Sequence, residues 1–238
     1  MNKKIELLKN IIENSTNIVF FGGAGVSTES GIPDFRSKDG LYSQKYKFSP
    51  EEILSHHFFV NNTADFYEFY RNKMNSLKYD PNITHIKLAK LENKGILKGI
   101  ITQNIDGLHQ KAGSKNVLEL HGSVYRNYCM KCNKFYDANY VFDSKNIPYC
   151  ECGGIIKPDV VLYEESLDYT VLENSISLIS SCDTLIIGGT SLTVYPASGL
   201  IKYFKGRNLI LINKDVTSFD KIASLVINDS LGNVFSNI

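Results

Sequence analysis

Short runs of almost unbroken apolar residues recur at 17–21, 97–102, 184–188, 209–212 and 225–227, each bounded by Gly, Asn or Asp. A strand with one wet face alternates apolar and polar residues. Runs apolar at every position belong to strands buried on both faces, as in parallel sheets covered by helices. Helical patterns lie between them. Thr84 is positioned to cap a helix carrying Ile86, Ala89 and Leu91 and ending near Gly95, and residues 175–181 and 196–205 fit two more. Strand–helix alternation predicts an α/β fold with a doubly wound parallel sheet.

The chain of 238 residues is long enough to bury a full core without covalent staples. At 43% hydrophobic and 21% charged it is globular in composition, neither disordered nor fibrous. A net charge of +1 gives no electrostatic reason to expect nucleic acid or an anionic membrane as partner. No apolar run reaches the ~18 residues of a membrane span. Near the N-terminus, Ile5, Leu8 and Ile12 are interrupted by Glu6, Lys9 and Asn10, an amphipathic helix without the continuous apolar stretch of a signal peptide. A cytoplasmic location is the expectation.

Two segments break the alternation. Residues 41–80 carry Phe58, Phe59, Phe66, Tyr67, Phe69 and Tyr70 in a helical pattern with no strand. Residues 126–157 hold four of the five cysteines and little regular pattern. Both read as insertions into the sheet domain that together form a smaller lobe, with a ligand cleft between the lobes.

Cys129-x2-Cys132 and Cys150-x-Cys152 are separated by 17 residues. Two close thiol pairs at that distance suit a tetrahedral four-thiolate zinc site, and Gly153-Gly154 allows the sharp turn such a knuckle uses. Four thiolates leave no open coordination position, so this Zn2+ is expected to be structural rather than an activator of water. Cys182 stands apart, a small hydrophobe beside a strand.

The run 18–21 leads directly into Gly22-Gly23-Ala24-Gly25-Val26-Ser27. A strand followed by a glycine turn suits an anion site, because bare backbone approaches phosphate closely. A tight structural turn explains the same glycines, since Thr28 stands where the third Gly of the dinucleotide pattern belongs. Phe35 and Arg36 follow on the same loop, and a guanidinium suits phosphate. Gln103, Asn104 and Asp106 begin where run 97–102 ends, the carboxyl edge where such sheets bind ligands, although Asn-x-Asp-Gly is also an ordinary turn. His121, after the short apolar stretch 117–120, is a general-base candidate because only histidine titrates near neutrality unperturbed; a lone histidine is also commonly structural. His56, His57 and His85 fall in helical segments, and His109 reads as a stabiliser of its own loop.

Taken together, Gly23-Ala24-Gly25-Val26-Ser27 with Ser30-Gly31-Ile32-Pro33-Asp34-Phe35-Arg36, then Thr102-Gln103-Asn104-Ile105-Asp106, His121-Gly122, the four cysteines and Gly189-Thr190-Ser191-Leu192 resemble the sirtuins in their short bacterial form. These are NAD-dependent protein lysine deacylases of the silent-information-regulator family, and the motifs run in family order from about residue 18 to about 215. The resemblance implies a Rossmann-like NAD domain (1–40, 81–125 and 158–238) and a small lobe made of a helical module (41–80) and a zinc module (126–157). It implies that Ala24, Gly25, Thr28 and Arg36 hold the NAD phosphates and nearby ribose, and that Phe35 covers the nicotinamide pocket. Gln103 would bind the nicotinamide ribose, Asn104 would order the site, and Ile105 and Asp106 would hold the carboxamide. Thr190, Ser191, Asn213, Lys214 and Leu231 match the adenosine end.

The implied chemistry joins acyl-lysine and NAD. The acyl oxygen attacks the ribose carbon as nicotinamide leaves, giving an alkylimidate. His121 then takes a proton from a ribose hydroxyl, and the products are free lysine, nicotinamide and O-acyl-ADP-ribose. Acyl-lysine proteins would enter past Val161 and Tyr163, with Val194 opposite. Tyr163 and Glu164 replace the family's usual Phe and Gly, and the charge of Glu164 implies a preference for Lys or Arg beside the modified lysine. Sirtuins acting on acidic acyl groups resemble one another in a Tyr-x-x-Arg pair. Here Tyr67 is followed by Tyr70, with Arg71 one place on and so turned by ~100°, which favours acetyl or another uncharged group. Transfer of ADP-ribose to protein and a non-catalytic NAD sensor are the alternative readings.

Overall fold

The computed structural model describes residues 2–34 and 47–238. Phe35 and Arg36 lie outside the described residues. Its main sheet is built from β1 (Ile18–Gly22), β2 (Leu97–Thr102), β3 (Val117–Glu119), β7 (Thr184–Gly188), β8 (Asn208–Ile212) and β9 (Leu225–Ile227). All pairs are parallel and the order is β3-β2-β1-β7-β8-β9. Every residue of β1 and β7 is buried, as the unbroken apolar runs require of strands covered on both faces. The chain winds outward from β1 on one side and from β7 on the other. The strand order therefore reverses between them, and a crevice for ligands opens outside their carboxyl ends.

Two cores flank this sheet. On one face, α1 (Asn2–Asn14) presents Leu8 and Ile12 to Ile18, Phe20, Leu88, Ile186 and Ile210, and α9 (Leu231–Ser236) adds Val234 and Phe235. On the other, Val19, Phe21, Leu185 and Ile187 pack with Ile179 of α8 (Tyr169–Ser181) and with Leu200 and Ile201. The segment expected as a helix over 196–205 forms a 3-10 helix, Ala197–Tyr203.

A third core belongs to the smaller lobe. Helices α2 (Pro50–Ile53), α3 (His56–Asn61), α4 (Thr63–Lys73) and α7 (Ala138–Phe142) join a three-stranded antiparallel sheet, β5-β4-β6. Its strands are β4 (Gly122–Cys129), β5 (Phe135–Tyr136) and β6 (Ile156–Val160). Phe58, Phe59, Phe66, Tyr67 and Tyr70 bury against Val124, Val141, Cys129, Cys150 and Ile156, so aromatic helices and cysteine segment share one interior. The Tyr67 hydroxyl donates to the Ile156 carbonyl across it. The cysteine segment thus has more regular structure than its sequence suggested.

Helix α5 (Ile83–Asn93) starts at Asn82, not Thr84. The Asn82 side chain accepts from Thr84 N, and His85 Nδ1 accepts from Asn82 N, a reciprocal cap. The buried face is Thr84, His85, Leu88 and Ala89, which leaves Ile86 partly exposed. His85 meets His109 edge to face at 4.8 Å between ring centroids, and His109 also meets Phe20. His109 is therefore part of the interior between α5 and the sheet, not a brace for its own loop. Burial holds both imidazoles below the ordinary histidine pKa, His85 at about 4 and His109 well down. A folded pKa below the unfolded one means that unfolding takes up protons in acid. The stability from keeping these rings neutral is complete above about pH 6.5 and is lost as pH falls towards about 4. His85 alone should cost about 2 kcal/mol between about pH 7 and about pH 5, read as a lower urea midpoint. His85→Gln, which keeps the capping acceptor, should flatten that slope; an unchanged slope would contradict the assignment.

Candidate active site

At the switch point the turn after β1 locks against the turn after β7. Gly23 N donates to Gly188 O at 3.2 Å and Gly25 N to Gly189 O at 2.8 Å. A Cβ on Gly25 would lie 2.7 Å from Gly189 Cα, so only glycine permits this approach. Both bonds tie the glycine turn to the neighbouring one. The chain beyond them runs through two short 3-10 turns, Ala24–Val26 and Thr28–Ser30.

The residues after β2 reach the same place. Gln103 Nε2 donates to Thr190 Oγ1 at 3.0 Å, which links the two strand ends on either side of β1. Asn104 Nδ2 donates to Ser27 Oγ at 3.0 Å, and Ser27 Oγ donates to Asp106 Oδ2 at 2.6 Å. The other Asp106 oxygen accepts from Leu108 N at 2.9 Å. Ser76, arriving from beyond α4, donates to the Asp106 carbonyl at 3.1 Å. Asp106 is 6% exposed, and burial raises its pKa although Ser27, Leu108 and Asn104 oppose that shift. Ile105 packs against the small-lobe core, and its carbonyl accepts from Val124 N at 3.0 Å. In the sequence Ser27 appeared only as the end of the glycine motif, without a role of its own, and Ser76 was not singled out. Asn104-Ile105-Asp106 is thereby gripped from both lobes.

His121 follows β3 and precedes β4. A Cβ on Gly122, where φ is +76°, would fall 1.9 Å from the Asp159 carbonyl, so β4 can leave His121 along this path only with glycine. His121 Nδ1 lies 2.8 Å from the Gln103 carbonyl. A carbonyl only accepts, so Nδ1 carries the proton and Nε2 keeps a lone pair. Burial lowers the His121 pKa, partly offset by the Gln103 bond, and the ring is a neutral base at neutral pH.

Val161 N donates to His121 O at 3.0 Å, which sets residues 161–163 beside the base. Tyr163 is pinned to the start of α3 by backbone bonds with Leu54 and His56, and the residue is 41% exposed. Glu164 adopts φ +75°, a left-handed conformation that favours glycine, and its Oε2 accepts from His57 N at 2.9 Å. Its charge is therefore held at the first turn of α3. Val194, in the loop after β7, accepts from Ser198 N. Asn213 follows β8 with its Nδ2 on Asp215 O, Lys214 is exposed beside it, and Ser191 bonds Thr193. Leu231 is buried against Gly188.

The Sγ atoms of Cys129, Cys132, Cys150 and Cys152 all lie within 4.8 Å of one another. A tetrahedron with Zn–S of about 2.3 Å has edges near 3.8 Å, and the closest sulfur pairs here stand at 3.4 to 3.5 Å. Lys131 N and Cys132 N point at Cys129 Sγ, as donors to a thiolate do. Four free thiols in this arrangement fit one Zn2+. Arg71 turns away from the cleft, donating to Asn146 O at 2.8 Å with Ser144 and Lys145 beside it.

Residues 23–196 match the model of the Sir2 family. The chain is 62% identical to the NAD-dependent protein deacetylase of Clostridium acetobutylicum over 239 residues, covering 99% of this chain and 98% of that one. It is 60% identical to the enzyme of the same name from Clostridium perfringens, over 100% and 99% of the two chains. Among solved structures, a Sir2 variant with deacetylated p53 peptide and 3'-O-acetyl ADP-ribose superposes with a TM-score of 0.91 at 37% identity, over 98% of this chain and 96% of that one. A Sir2 complex with p53 peptide and NAD+ gives 0.87 at 38%, with the same coverage.

Proposed function

The chain belongs to the Sir2 family, and from that premise we infer that it is an NAD-dependent protein deacetylase acting on acetyl-lysine in proteins and peptides. NAD is consumed as a co-substrate, supplying an ADP-ribose acceptor for the acetyl group as nicotinamide leaves. The observation that carries the reading is His121, with Nδ1 committed to the Gln103 carbonyl and a neutral Nε2 at the carboxyl edge of the sheet. A sensor that merely held NAD has no use for a tautomer fixed in this way.

His121 accepts a proton from a ribose hydroxyl, and Asn104, held by Ser27, orders the site around it. Asp106 and Ile105 hold the carboxamide of nicotinamide. Ala24, Gly25, Thr28 and Arg36 take the phosphates and the nearby ribose, Phe35 covers the nicotinamide pocket, and Gln103 takes the nicotinamide ribose. Thr190, Ser191, Asn213, Lys214 and Leu231 take the adenosine end. In this scheme 1–40, 81–125 and 158–238 form the NAD-binding body, with 41–80 and 126–157 as the small lobe. Val161, Tyr163 and Val194 line the entry for the acyl-lysine. Tyr67 and Tyr70 are buried in the small-lobe core and Arg71 is spent on residues 144–146, so Arg71 is not offered to an acidic acyl group. That supports an uncharged acyl chain. Among the described residues no helix is long and apolar enough to cross a membrane.

Incubating two acetyl-lysine peptides, one flanked by Lys or Arg and one by Asp or Glu, with and without NAD tests both activity and flank choice. Deacetylation only with NAD is expected, faster on the basic peptide because Glu164 adds a negative charge next to Tyr163. Equal turnover without NAD would remove the assignment, and equal rates on the two peptides would remove the role of Glu164.

A further inference from the structure

Glu29 lies one residue beyond Thr28 in the second 3-10 turn, and both its oxygens are engaged with the far end of the chain. Oε2 accepts from Gly232 N at 2.6 Å, and Oε1 accepts from Ser230 Oγ at 3.0 Å. Ser230 also caps α9, accepting from Asn233 N, and Leu231 between them rests on Gly188 at the end of β7. A Cβ on Gly232 would fall 2.3 Å from Glu29 Oε2, so the carboxylate sits hard against that backbone. One side chain thus joins the glycine turn after β1 to the segment after β9. Both lie at the carboxyl edge of the sheet, where the ligand crevice opens.

We propose that Glu29 is a positioning residue for NAD, holding the segment 230–232 at a fixed distance from the glycine turn and so setting the span between the groups that receive adenosine and those that receive the phosphates. The proposal rests on the placement of Leu231 at the adenosine end given above. Anchoring α9 does not itself require Glu29. Leu231, Val234 and Phe235 are buried, and Phe235 meets Phe20 edge to face. What Glu29 adds is the position of the first turn of α9 relative to residues 24–30.

The test separates the two ends of the co-substrate. In Glu29→Ala, which removes both bonds that fix residues 230–232, the KM for NAD should rise about ten-fold. ADP-ribose, used as an inhibitor, should weaken by the same factor. The KM for an acetyl-lysine peptide, inhibition by nicotinamide and kcat should stay near the wild-type values. Glu29→Gln, whose amide oxygen still accepts from Gly232 N, should restore most of the loss, and Gly232→Ala should reproduce it by displacing the carboxylate. A lower melting temperature with unchanged ADP-ribose inhibition would make Glu29 purely structural and overturn the proposal. Equal weakening towards nicotinamide and ADP-ribose would overturn it too, by showing a general collapse of the site. A wild-type protein that deacetylates only with NAD keeps the function intact under either of these results.

Discussion

Replacing His121 by alanine should slow deacetylation by about 10²–10⁴-fold, the usual worth of a positioned general base. The dissociation constant for NAD should change little. His121 reaches the rest of the site through the Gln103 carbonyl, whereas the Asn104–Ser27–Asp106 linkage and the Gly25–Gly189 contact do not depend on the ring. The pH profile carries a second signature. Burial keeps the His121 pKa below the ordinary histidine value of about 6.5, so the wild-type rate should hold through neutrality and fall only in mild acid. The alanine variant should lose that limb along with its rate. Near-full activity in His121→Ala would show that the base lies elsewhere. Loss of NAD binding in step with the rate would show that the ring is a binding element instead.

Removing the metal should act through a different route and with comparable severity. Structural four-thiolate sites contribute on the order of 10 kcal/mol to small zinc domains, and Cys129 and Cys150 are themselves part of the small-lobe core. That core carries Val160 and Leu162, and Ile105 packs against it. Stripping the ion, or making Cys129→Ala, should loosen β4 and β6 and collapse the near-UV signal of the surrounding tyrosines. Deacetylation should drop by at least about ten-fold, while the main sheet keeps its far-UV signature. Metal analysis should give one zinc per chain in the wild type and none in the variant, with Cys182→Ser unaffected, since Cys182 lies in the other core. Zinc-free protein with wild-type structure and rate would contradict a structural role.

The main sheet was legible because its strands are covered on both faces, which leaves an apolar residue at nearly every position of β1, β7 and β8, with β2 interrupted by the exposed Lys98. The small sheet was not. In β4 the register shifts between Ser123 and Asn127, and β6 contains Pro158, which an edge strand tolerates but no simple pattern announces. The cap of α5 was missed by two residues because Asn82 and Thr84 are both good caps, and only the reciprocal bond from Asn82 N to His85 decides between them. At the site, the chemically unusual residues announced themselves. Ser27 and Ser76 did not, since a serine beside a glycine turn or past a helix is ordinary until its partner is known. Both bond to Asp106, over 79 and 30 residues of chain. Glu164 was legible as a departure in charge, but its bond to His57, formed across 107 residues, was not.

The central claim is that the acetyl group leaves lysine for ADP-ribose, and identifying the acetyl acceptor tests it most directly. An acetyl-lysine peptide labelled in the acetyl group is incubated with the protein and NAD, and all products are weighed by mass spectrometry. The expected result is labelled O-acetyl-ADP-ribose in equal amount to free peptide and nicotinamide. Label recovered only as free acetate from the first turnover, or retained on lysine while ADP-ribose becomes attached to protein, would contradict it.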